Sequence, residues 1–331
     1  MRYWRLSPDA KSGLIFYCQR LERSGYPVLL TLSHIAFLCG VPSSLVGGVV
    51  DRPQRYYRVF EVPKRRGGVR SLSAPTPFLA HVQRWILTSI LARMPVHSAA
   101  HGFVPRRGII SNAEAHRNSP AILKMDIADF FGSITRQDVE KVFANAGYTP
   151  KLTYYLSRIT TLYGRLPQGA PSSPAISNIL MNDFDVAVSA FCESRGLIYT
   201  RYADDITISG DNIGSTEINR VQFELGERGL QVASEKTRLS TKSQKQIVTG
   251  ISVSSGCLKL PRDRRRKLRQ IVHYIETYGI QEHIKREGIR DPIYRYRLAG
   301  ELNYWLQIEP ENKTAKRGLL LIAPKSLGGR N

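Results

Sequence analysis

Two adjacent aspartates between two short apolar runs constrain the fold of this chain more than any other feature. Residues 196–200 and 206–208 are mostly apolar or β-branched, and Tyr202, Asp204 and Asp205 stand between them. The pattern predicts a β-hairpin with two carboxylates at its tip. Because adjacent acids near a core are costly without a compensating charge, a divalent metal ion is the expected partner. A plain Asp-Asp turn is the alternative.

A second acidic position follows another strand-like run. Residues 121–125 are largely apolar and lead into Asp126. If this run joins the same sheet as the hairpin, Asp126 lies across from Asp204 and Asp205. Three converging carboxylates suit two Mg²⁺ ions about 3.5–4 Å apart, the arrangement used for in-line phosphoryl transfer. Asp129, a little further along, could instead cap a following helix.

Four strings in this order resemble the motifs of the reverse transcriptases. Residues 124–131 are similar to the first catalytic-acid motif, and residues 166–174 are similar to the Leu-Pro-Gln-Gly box. Residues 202–205 are similar to the Tyr-x-Asp-Asp box, and residues 229–237 are similar to the lysine-bearing motif that follows it. The ordered set covers most of residues 56–255. The resemblance implies an α+β fold, the right-hand polymerase, with fingers, a palm of antiparallel sheet with helices on one face, and a helical thumb.

The same resemblance divides the chain into regions. They are an N-terminal helical region at 1–50, fingers at 51–110 and 134–170, a palm at 111–133 and 171–255, and a thumb at 256–331. Hydrophobic spacing predicts helices over 76–100, 171–195 and 214–230. Thr31 or Ser33 is expected to cap a helix in the first region.

Roles for individual residues also follow from the resemblance. Asp126, Asp204 and Asp205 would be catalytic and, together with Ile127, would hold two Mg²⁺ ions. Phe131 would stack under the sugar of the incoming nucleotide, so that the enzyme selects dNTPs. The expected nucleotide-binding residues are Lys64, Arg70, Asp129, Phe130, Phe131, Gln168 and Lys236. Lys64 and Arg70 could instead belong to a solvated basic hairpin that binds template phosphates.

Two further strings narrow the resemblance to the retron reverse transcriptases. Residues 112–116 are similar to their Asn-Ala-x-x-His motif and residues 248–250 to their Val-Thr-Gly motif. Simpler interpretations stay open: residues 112–116 could be the start of an amphipathic helix, and residues 248–250 could be a strand that ends in a glycine turn. A basic run in the thumb would grip a duplex by its backbone, or be a charged helical face. The expected RNA-binding residues are Asn112, His116, Val248, Thr249, Gly250, Arg262, Arg264, Arg265, Arg266 and Arg269.

The retron resemblance implies a specific reaction. Such enzymes bind their own structured non-coding RNA, prime from the 2′-hydroxyl of an internal guanosine and leave a branched RNA–DNA product. A host ribonuclease H removes the copied template, and the family acts in defence against phage with a separate effector protein. The rival interpretations are a group II intron-like or diversity-generating reverse transcriptase, and a non-catalytic RNA-binding relic of a polymerase. The presence of all three acids speaks against the relic.

The charge of the chain agrees with a nucleic-acid partner. A formal net charge of +21 over 331 residues favours a polyanion, which is either a nucleic acid or, as the rival, a membrane surface. No apolar stretch reaches the roughly 18 residues that a spanning helix needs, so no membrane segment is expected. The four scattered cysteines suit a reducing cytoplasm rather than a structural zinc site.

Overall fold

The computed structural model describes residues 7–63 and 67–323 of the chain, so Lys64, an expected nucleotide contact, lies outside the described residues. The first region is helical, as predicted, with α1 at Pro8–Arg23, α2 at Leu32–Leu38 and α3 at Ser43–Asp51. The hydroxyl oxygen of Thr31 accepts a hydrogen bond from the His34 amide at 3.3 Å. Of the two predicted caps, Thr31 is therefore the one that is used.

A basic hairpin and a short helix follow. Strand β1 at Tyr57–Pro63 pairs antiparallel with β2 at Val69–Pro75, and α4 spans Pro77–Ser89. The helix predicted over 76–100 is thus shorter than expected. After Ile90 the chain makes one turn of 3₁₀ helix, and Met94 is extended. Pro95 explains why Met94 is extended and the chain does not continue as a helix beyond it, because a proline disfavours helical geometry in the residue before it.

A four-stranded antiparallel sheet forms the centre of the molecule. Its strands are β3 at Ala121–Asp126, β4 at Ile198–Tyr202, β5 at Asp205–Gly210 and β6 at Arg238–Thr241, in the spatial order β4-β5-β3-β6. Strands β4 and β5 are the predicted hairpin, and β3 pairs with β5 along its whole length. The pairing that the two apolar runs predicted is confirmed.

Seven further helices lie before and between these strands along the described chain. They are α5 at Ile109–Ala115, α6 at Phe130–Ser133, α7 at Arg136–Asn145, α8 at Pro150–Thr160, α9 at Ser173–Leu180, α10 at Asn182–Ser194 and α11 at Ser215–Gly226. The helix predicted over 171–195 is divided at Met181 into α9 and α10. Asn182 and Asp183 explain the division, since both residue types favour the start of a helix over its interior. Helix α10 contacts β4 and α11.

The described residues form two hydrophobic cores. One extends from the N-terminal helices through the sheet to Leu230. The other centres on Trp305 and Leu302, both fully buried, and includes Ala113 of α5. It is built by the small hairpin β7 at Ile247–Val248 and β8 at Ile251–Ser252, and by α12 at Arg262–Tyr278, α13 at Ile280–Arg286, α14 at Tyr294–Ile308 and α15 at Lys313–Ile322. Within the described ranges, none of the helices has the length and apolar character that crossing a bilayer requires.

Candidate active site

The three predicted catalytic acids meet at the end of the central sheet. Asp126 is the last residue of β3 and Asp205 the first of β5, and the two are direct cross-strand partners. Partners of this kind place their side chains on the same face of a sheet. Asp204 lies in the turn beside them, and its carbonyl accepts a hydrogen bond from the Ile127 amide at 3.1 Å. The tip of the hairpin is thereby tied to the end of β3.

The carboxylates carry uncompensated negative charge. Burial, and next the Asp126 carboxylate, raise the pKa of Asp204 from its ordinary value of 3.8 to about 6. Burial is also the main cause that raises the pKa of Asp205, while Lys124 and Lys236 oppose the rise. The Lys236 ammonium pairs with the Asp126 carboxylate, and this hydrogen bond raises the pKa of Lys236. Lys236 and Lys124 therefore offset only part of the negative charge of the three acids.

The predicted metal site is only partly assembled. In the ranges 7–63 and 67–323, no three His, Cys, Asp or Glu side chains are gathered closely enough to hold a metal ion. The Asp126 carboxylate is paired with Lys236. The donors nevertheless fit a hard cation, since carboxylate oxygens are its preferred ligands, and the burial and neighbouring negative charge that raise the pKa of Asp204 would both be offset by a cation. No described group donates a hydrogen bond to the Ile127 carbonyl, which leaves that oxygen available as a further donor.

A cleft of about 530 Å³ opens beside the carboxylates. It lies between the basic hairpin, α6 and the segment that leads into α9. Its lining includes Arg70, Asp126, Asp129, Phe130, Phe131, Gln168, Asp204 and Lys236. All the expected nucleotide-binding residues that the structure describes therefore come together around one space.

Backbone contacts fix the walls of this cleft. The Ser73 amide of β2 donates to the Gln168 carbonyl at 2.8 Å, which fastens the Leu-Pro-Gln-Gly string to the basic hairpin. Gly169 follows with φ 118°, and a Cβ atom there would lie 3.0 Å from the Ser73 carbonyl oxygen. Only glycine suits both the backbone angle and the close approach.

Three of the expected nucleotide contacts lie at or near the start of α6. Phe130 is buried in the core, with 3% of its surface exposed, so it can offer a nucleotide only its backbone. Asp129 stands at the start of α6 with φ 39° but makes no side-chain capping bond. Asp129 thus occupies the N-cap position of that helix, as the alternative expected, although its side chain makes no capping bond. Phe131, half-buried, packs with its ring centroid 5.4 Å from that of Phe130 and lines the cleft.

Further residues at the cleft were missed by the sequence analysis. Tyr163 and Arg165 line it, and Arg165 donates to the Ser133 carbonyl at 3.2 Å. Both lie in a turn, where no periodic pattern singles out a residue. The position of Arg165, directly before the Leu-Pro-Gln-Gly string, was the available signal.

A fully buried ion pair supports the catalytic turn, and it too was missed. Arg201 on β4 pairs with Asp185 on α10 at 2.6 Å, and neither side chain is exposed. The same guanidinium donates to the Ala203 carbonyl at 3.0 Å and to the Asn178 side chain at 3.1 Å. Tyr199 donates to Asp185 at 2.6 Å. A buried ion pair is tolerated only when its hydrogen-bonding groups are satisfied. Here one of these hydrogen bonds is accepted by the Ala203 carbonyl, so the pair also holds the backbone of the catalytic turn.

The expectation that Asn112 and His116 contact RNA is contradicted by their burial. Both side chains are fully buried. One ring nitrogen of His116 is hydrogen-bonded to the Ser209 hydroxyl and the other to the Thr200 hydroxyl, each at 2.7 Å. Burial lowers the pKa of His116 to about 3, so the ring is neutral. His116 thus joins α5 to both strands of the catalytic hairpin.

The second retron-like string lies against the same helix. Val248 is fully buried in the second core and is also unavailable to RNA. Thr249 donates from its hydroxyl to the Ile109 carbonyl of α5 at 3.0 Å. Gly250, exposed and with φ 82°, is the accessible member. Together the two strings connect the catalytic hairpin with the C-terminal core.

The arginines expected to bind RNA lie on α12. Arg262, Arg264, Arg266 and Arg269 are exposed and Arg265 is half-buried. A groove of about 440 Å³ is lined by Arg262, Arg265, Arg266, Arg269 and Gln270. The Arg264 guanidinium lies 5.1 Å from the ring centroid of Tyr304. Arg262, Arg265, Arg266 and Arg269 form a basic face, and its contact with RNA stays a prediction.

Comparison with known proteins agrees with the motif order. The sequence model of the family "Reverse transcriptase (RNA-dependent DNA polymerase)" matches residues 62–253. The retron Mx65 reverse transcriptase of Myxococcus xanthus is 34% identical over 316 residues, which cover 88% of this chain and 71% of that protein. The retron Ec86 reverse transcriptase of Escherichia coli is 30% identical over 260 residues, which cover 77% of this chain and 81% of that protein.

The retron Mx162 reverse transcriptase of Myxococcus xanthus is 34% identical over 253 residues, or 66% of this chain. The chain spans only about half the length of that relative, 52%. Among solved structures, telomerase from Candida albicans in complex with a fragment of telomeric RNA aligns with 84% of this chain and 66% of its own, at a TM-score of 0.41 and 12% identity.

Proposed function

Because this chain belongs to the reverse transcriptases, which are RNA-directed DNA polymerases, and within them to the retron reverse transcriptases, we propose that it copies part of its own structured non-coding RNA into DNA. The primer is the 2′-hydroxyl of an internal guanosine of that RNA. The product is a branched molecule in which single-stranded DNA stays joined to RNA. The family supports this proposal, and the site supplies its chemistry.

One observation carries the proposal. Asp126 and Asp205 are cross-strand partners with Asp204 in the adjoining turn. Asp126 and Asp204 line a cleft that also holds Arg70 and Lys236. This arrangement is suited to a nucleoside triphosphate. Its α-phosphorus would lie at the carboxylates, and its β- and γ-phosphates would face Arg70 and Lys236. The primer hydroxyl attacks that phosphorus and pyrophosphate leaves.

Asp126, Asp204, Asp205 and the Ile127 carbonyl are the groups that would hold two Mg²⁺ ions. When bound, such ions lower the pKa of the attacking hydroxyl and stabilise the charge on the leaving pyrophosphate. The acids must be ionised to serve as ligands. The pKa of about 6 for Asp204 means that this condition is met at neutral pH.

The cleft orients the incoming nucleotide. Arg70, exposed on β2, and Lys236 supply positive charge for the triphosphate, and Lys236 can exchange its pairing with Asp126 for a phosphate oxygen. Backbone amides at the start of α6 lie on the same side. Phe131 lines this cleft and would stack under the sugar of the nucleotide, which would favour dNTPs over NTPs. Gln168 lines the same cleft and would contact the incoming nucleotide.

We assign the domains as the family resemblance implies. The fingers are residues 51–110 and 134–170, the palm 111–133 and 171–255, and the thumb 256–331, after an N-terminal helical region at 1–50. The basic face of α12 would hold the duplex through its phosphates, since A-form helices are recognised largely by backbone and shape.

The wider setting is also proposed from the family. The enzyme would act in the cytoplasm, where a host ribonuclease H removes the copied template. A separate effector protein would accompany it in defence against phage. A group II intron-like or diversity-generating enzyme would share the active site but would not require a cognate retron RNA.

Sequencing the nucleic acid that co-purifies with the protein tests this proposal. We expect one structured RNA joined through a 2′–5′ linkage to a DNA copy of part of itself. The matched control is Asp204→Asn, which should co-purify with the same RNA but without DNA. A preparation that carries unrelated RNAs, or DNA without a branch, would point to one of the rival enzymes. RNA with no DNA synthesis by the unaltered protein would indicate a relic.

A further inference from the structure

An exposed aromatic residue lies beside the catalytic turn and has no role in the chemistry described above. The ring of Phe103 is 58% exposed. Its centroid lies 6.2 Å from that of Tyr202, with an angle of 43° between the ring planes. The backbone of Phe103 has φ 60°. A bulky residue rarely adopts this conformation, and such strain persists where the surrounding structure imposes it.

The segment that carries Phe103 is fastened to β4. The Arg201 amide donates to the Ala99 carbonyl and the His101 amide to the Arg201 carbonyl, each at 2.8 Å. The buried side chain of Asn178 donates to the Gly102 carbonyl, also at 2.8 Å. A Cβ atom at Gly102 would lie 2.8 Å from the Ala203 amide nitrogen. Phe103 is thus held in place against the turn before any substrate binds.

The position of Phe103 relative to the acids is set by the sheet register. Tyr202, Asp205 and Asp126 are successive cross-strand partners on β4, β5 and β3, so their side chains form one row on one face. Lys236 and the nucleotide cleft adjoin the Asp126 end of this row. Phe103 adjoins the Tyr202 end.

In-line displacement decides what must lie at the Tyr202 end. The attacking and leaving oxygens stand on opposite sides of the phosphorus. If the triphosphate occupies the basic cleft around Arg70, pyrophosphate leaves on that side. The nucleotide that bears the attacking hydroxyl must then approach from the other side, where Phe103 and Tyr202 are.

We propose that Phe103, together with Tyr202, is a stacking platform for the base of the priming nucleotide. The assignment rests on the proposed polymerase function and adds to it a binding site for the primer terminus. Stacking suits this task because every base has an aromatic face, and the terminal base changes with each nucleotide that is added. A fixed aromatic ring can therefore position the terminal nucleotide of the primer whatever its base.

Single-nucleotide addition by the full-length protein tests the assignment. An RNA template carries an annealed DNA primer whose 3′-terminal nucleotide is either normal or abasic. With the normal primer, Phe103→Ala should raise the KM for primer–template about tenfold, the size expected when one base no longer stacks, and leave the KM for dNTP unchanged. With the abasic primer the variant and the unaltered protein should behave alike. Phe103→Trp should retain normal affinity.

Phe223→Ala is the matched control, since Phe223 is 60% exposed on α11 and distant in sequence from the turn. It should leave both KM values unchanged, and thermal melting should show that both alanine variants are folded. The assignment is overturned if Phe103→Ala weakens normal and abasic primers equally, or if the effect depends on the template base instead. It is also overturned if the KM for primer–template does not change. If the unaltered protein extends no primer, the proposed function itself fails and takes this assignment with it.

Discussion

Asp126 and Asp205 are direct cross-strand partners at the end of the central sheet, although the first belongs to the acid motif and the second to the Tyr-x-Asp-Asp hairpin. The register of β3 and β5 therefore assembles the active site. Because side chains alternate between the faces of a sheet, a shift of one residue would send one of these carboxylates to the opposite face. The chemistry of the enzyme depends on that single alignment.

We expect Asp204→Asn to abolish Mg²⁺-dependent DNA synthesis. The amide keeps the shape of the side chain but loses the charge needed to hold a metal ion. Primer extension on an RNA template measures the effect, and RNA affinity should be nearly unchanged. Asp211→Asn, an exposed change just beyond β5, is the control and should leave synthesis intact. Full activity of Asp204→Asn would remove the acid row from the mechanism.

The same substitution should stabilise the metal-free protein at neutral pH. Because the folded state raises the pKa of Asp204 from 3.8 to about 6, ionisation of this group favours unfolding. This penalty is absent below pH 3.8, grows as the pH rises from 3.8 to 6, and is complete above pH 6. Asp204→Asn should therefore increase the free energy of unfolding by about 3 kcal/mol at pH 8 and by little near pH 4. Urea titrations of the metal-free protein at pH 8 and pH 4 measure this change in the free energy of unfolding, with Asp211→Asn as the control. An equal effect of Asp204→Asn at the two pH values would contradict the prediction.

Phe131 should act as a gate against ribonucleotides. Removing its ring in Phe131→Ala or Phe131→Val opens the space beneath the sugar, so incorporation of NTPs should rise relative to dNTPs. The ratio of kcat/KM for matched NTP and dNTP pairs measures this selectivity. Leu162→Ala, at a buried residue of the same cleft, controls for general loosening of the pocket. An unchanged ratio in both Phe131 variants would show that the ring serves packing only.

His116→Ala should impair the fold and both reactions together. The change removes two buried hydrogen bonds and leaves the hydroxyls of Thr200 and Ser209 without this partner, which should lower the free energy of unfolding by about 1–3 kcal/mol. Initiation on the cognate RNA and extension of an annealed primer should fall in parallel. Glu114→Ala is the control in the same helix, because Glu114 makes only a surface ion pair with Arg117. If initiation alone fell and stability did not change, His116 would be an RNA contact after all.

The basic face of α12 should account for much of the salt dependence of RNA binding. Replacing Arg262, Arg266 and Arg269 together by Gln should reduce the slope of log K against log salt by about 0.7–0.9 for each phosphate that the variant no longer neutralises. The corresponding Lys variant keeps the charge and should keep most of the slope. Fluorescence anisotropy with a duplex RNA over a range of KCl concentrations measures both. An unchanged slope in the Gln variant would place the RNA elsewhere.

Several features could be predicted from the sequence because local patterns encode them. The alternation of apolar residues around Asp204 and Asp205 predicted β4 and β5, and the run before Asp126 predicted β3. The cap at Thr31 and most helices followed from short-range signals as well. Where local signals compete, the predicted helix ends were wrong, since helices end at the C-caps Ile90 and Met181 inside the ranges predicted to be helical.

The sequence by itself determined which residues could do chemistry, since the acids and their order along the chain are legible without coordinates. Only the tertiary structure decided what surrounds them. His116 and Ser209 are 93 positions apart, and Asn178 and Gly102 are 76 positions apart. Whether a polar side chain faces solvent or another element depends on such distant contacts, which no local pattern contains. That is why a residue expected to contact RNA proved to be a buried link, and why Phe103, without any motif of its own, lies beside the catalytic turn.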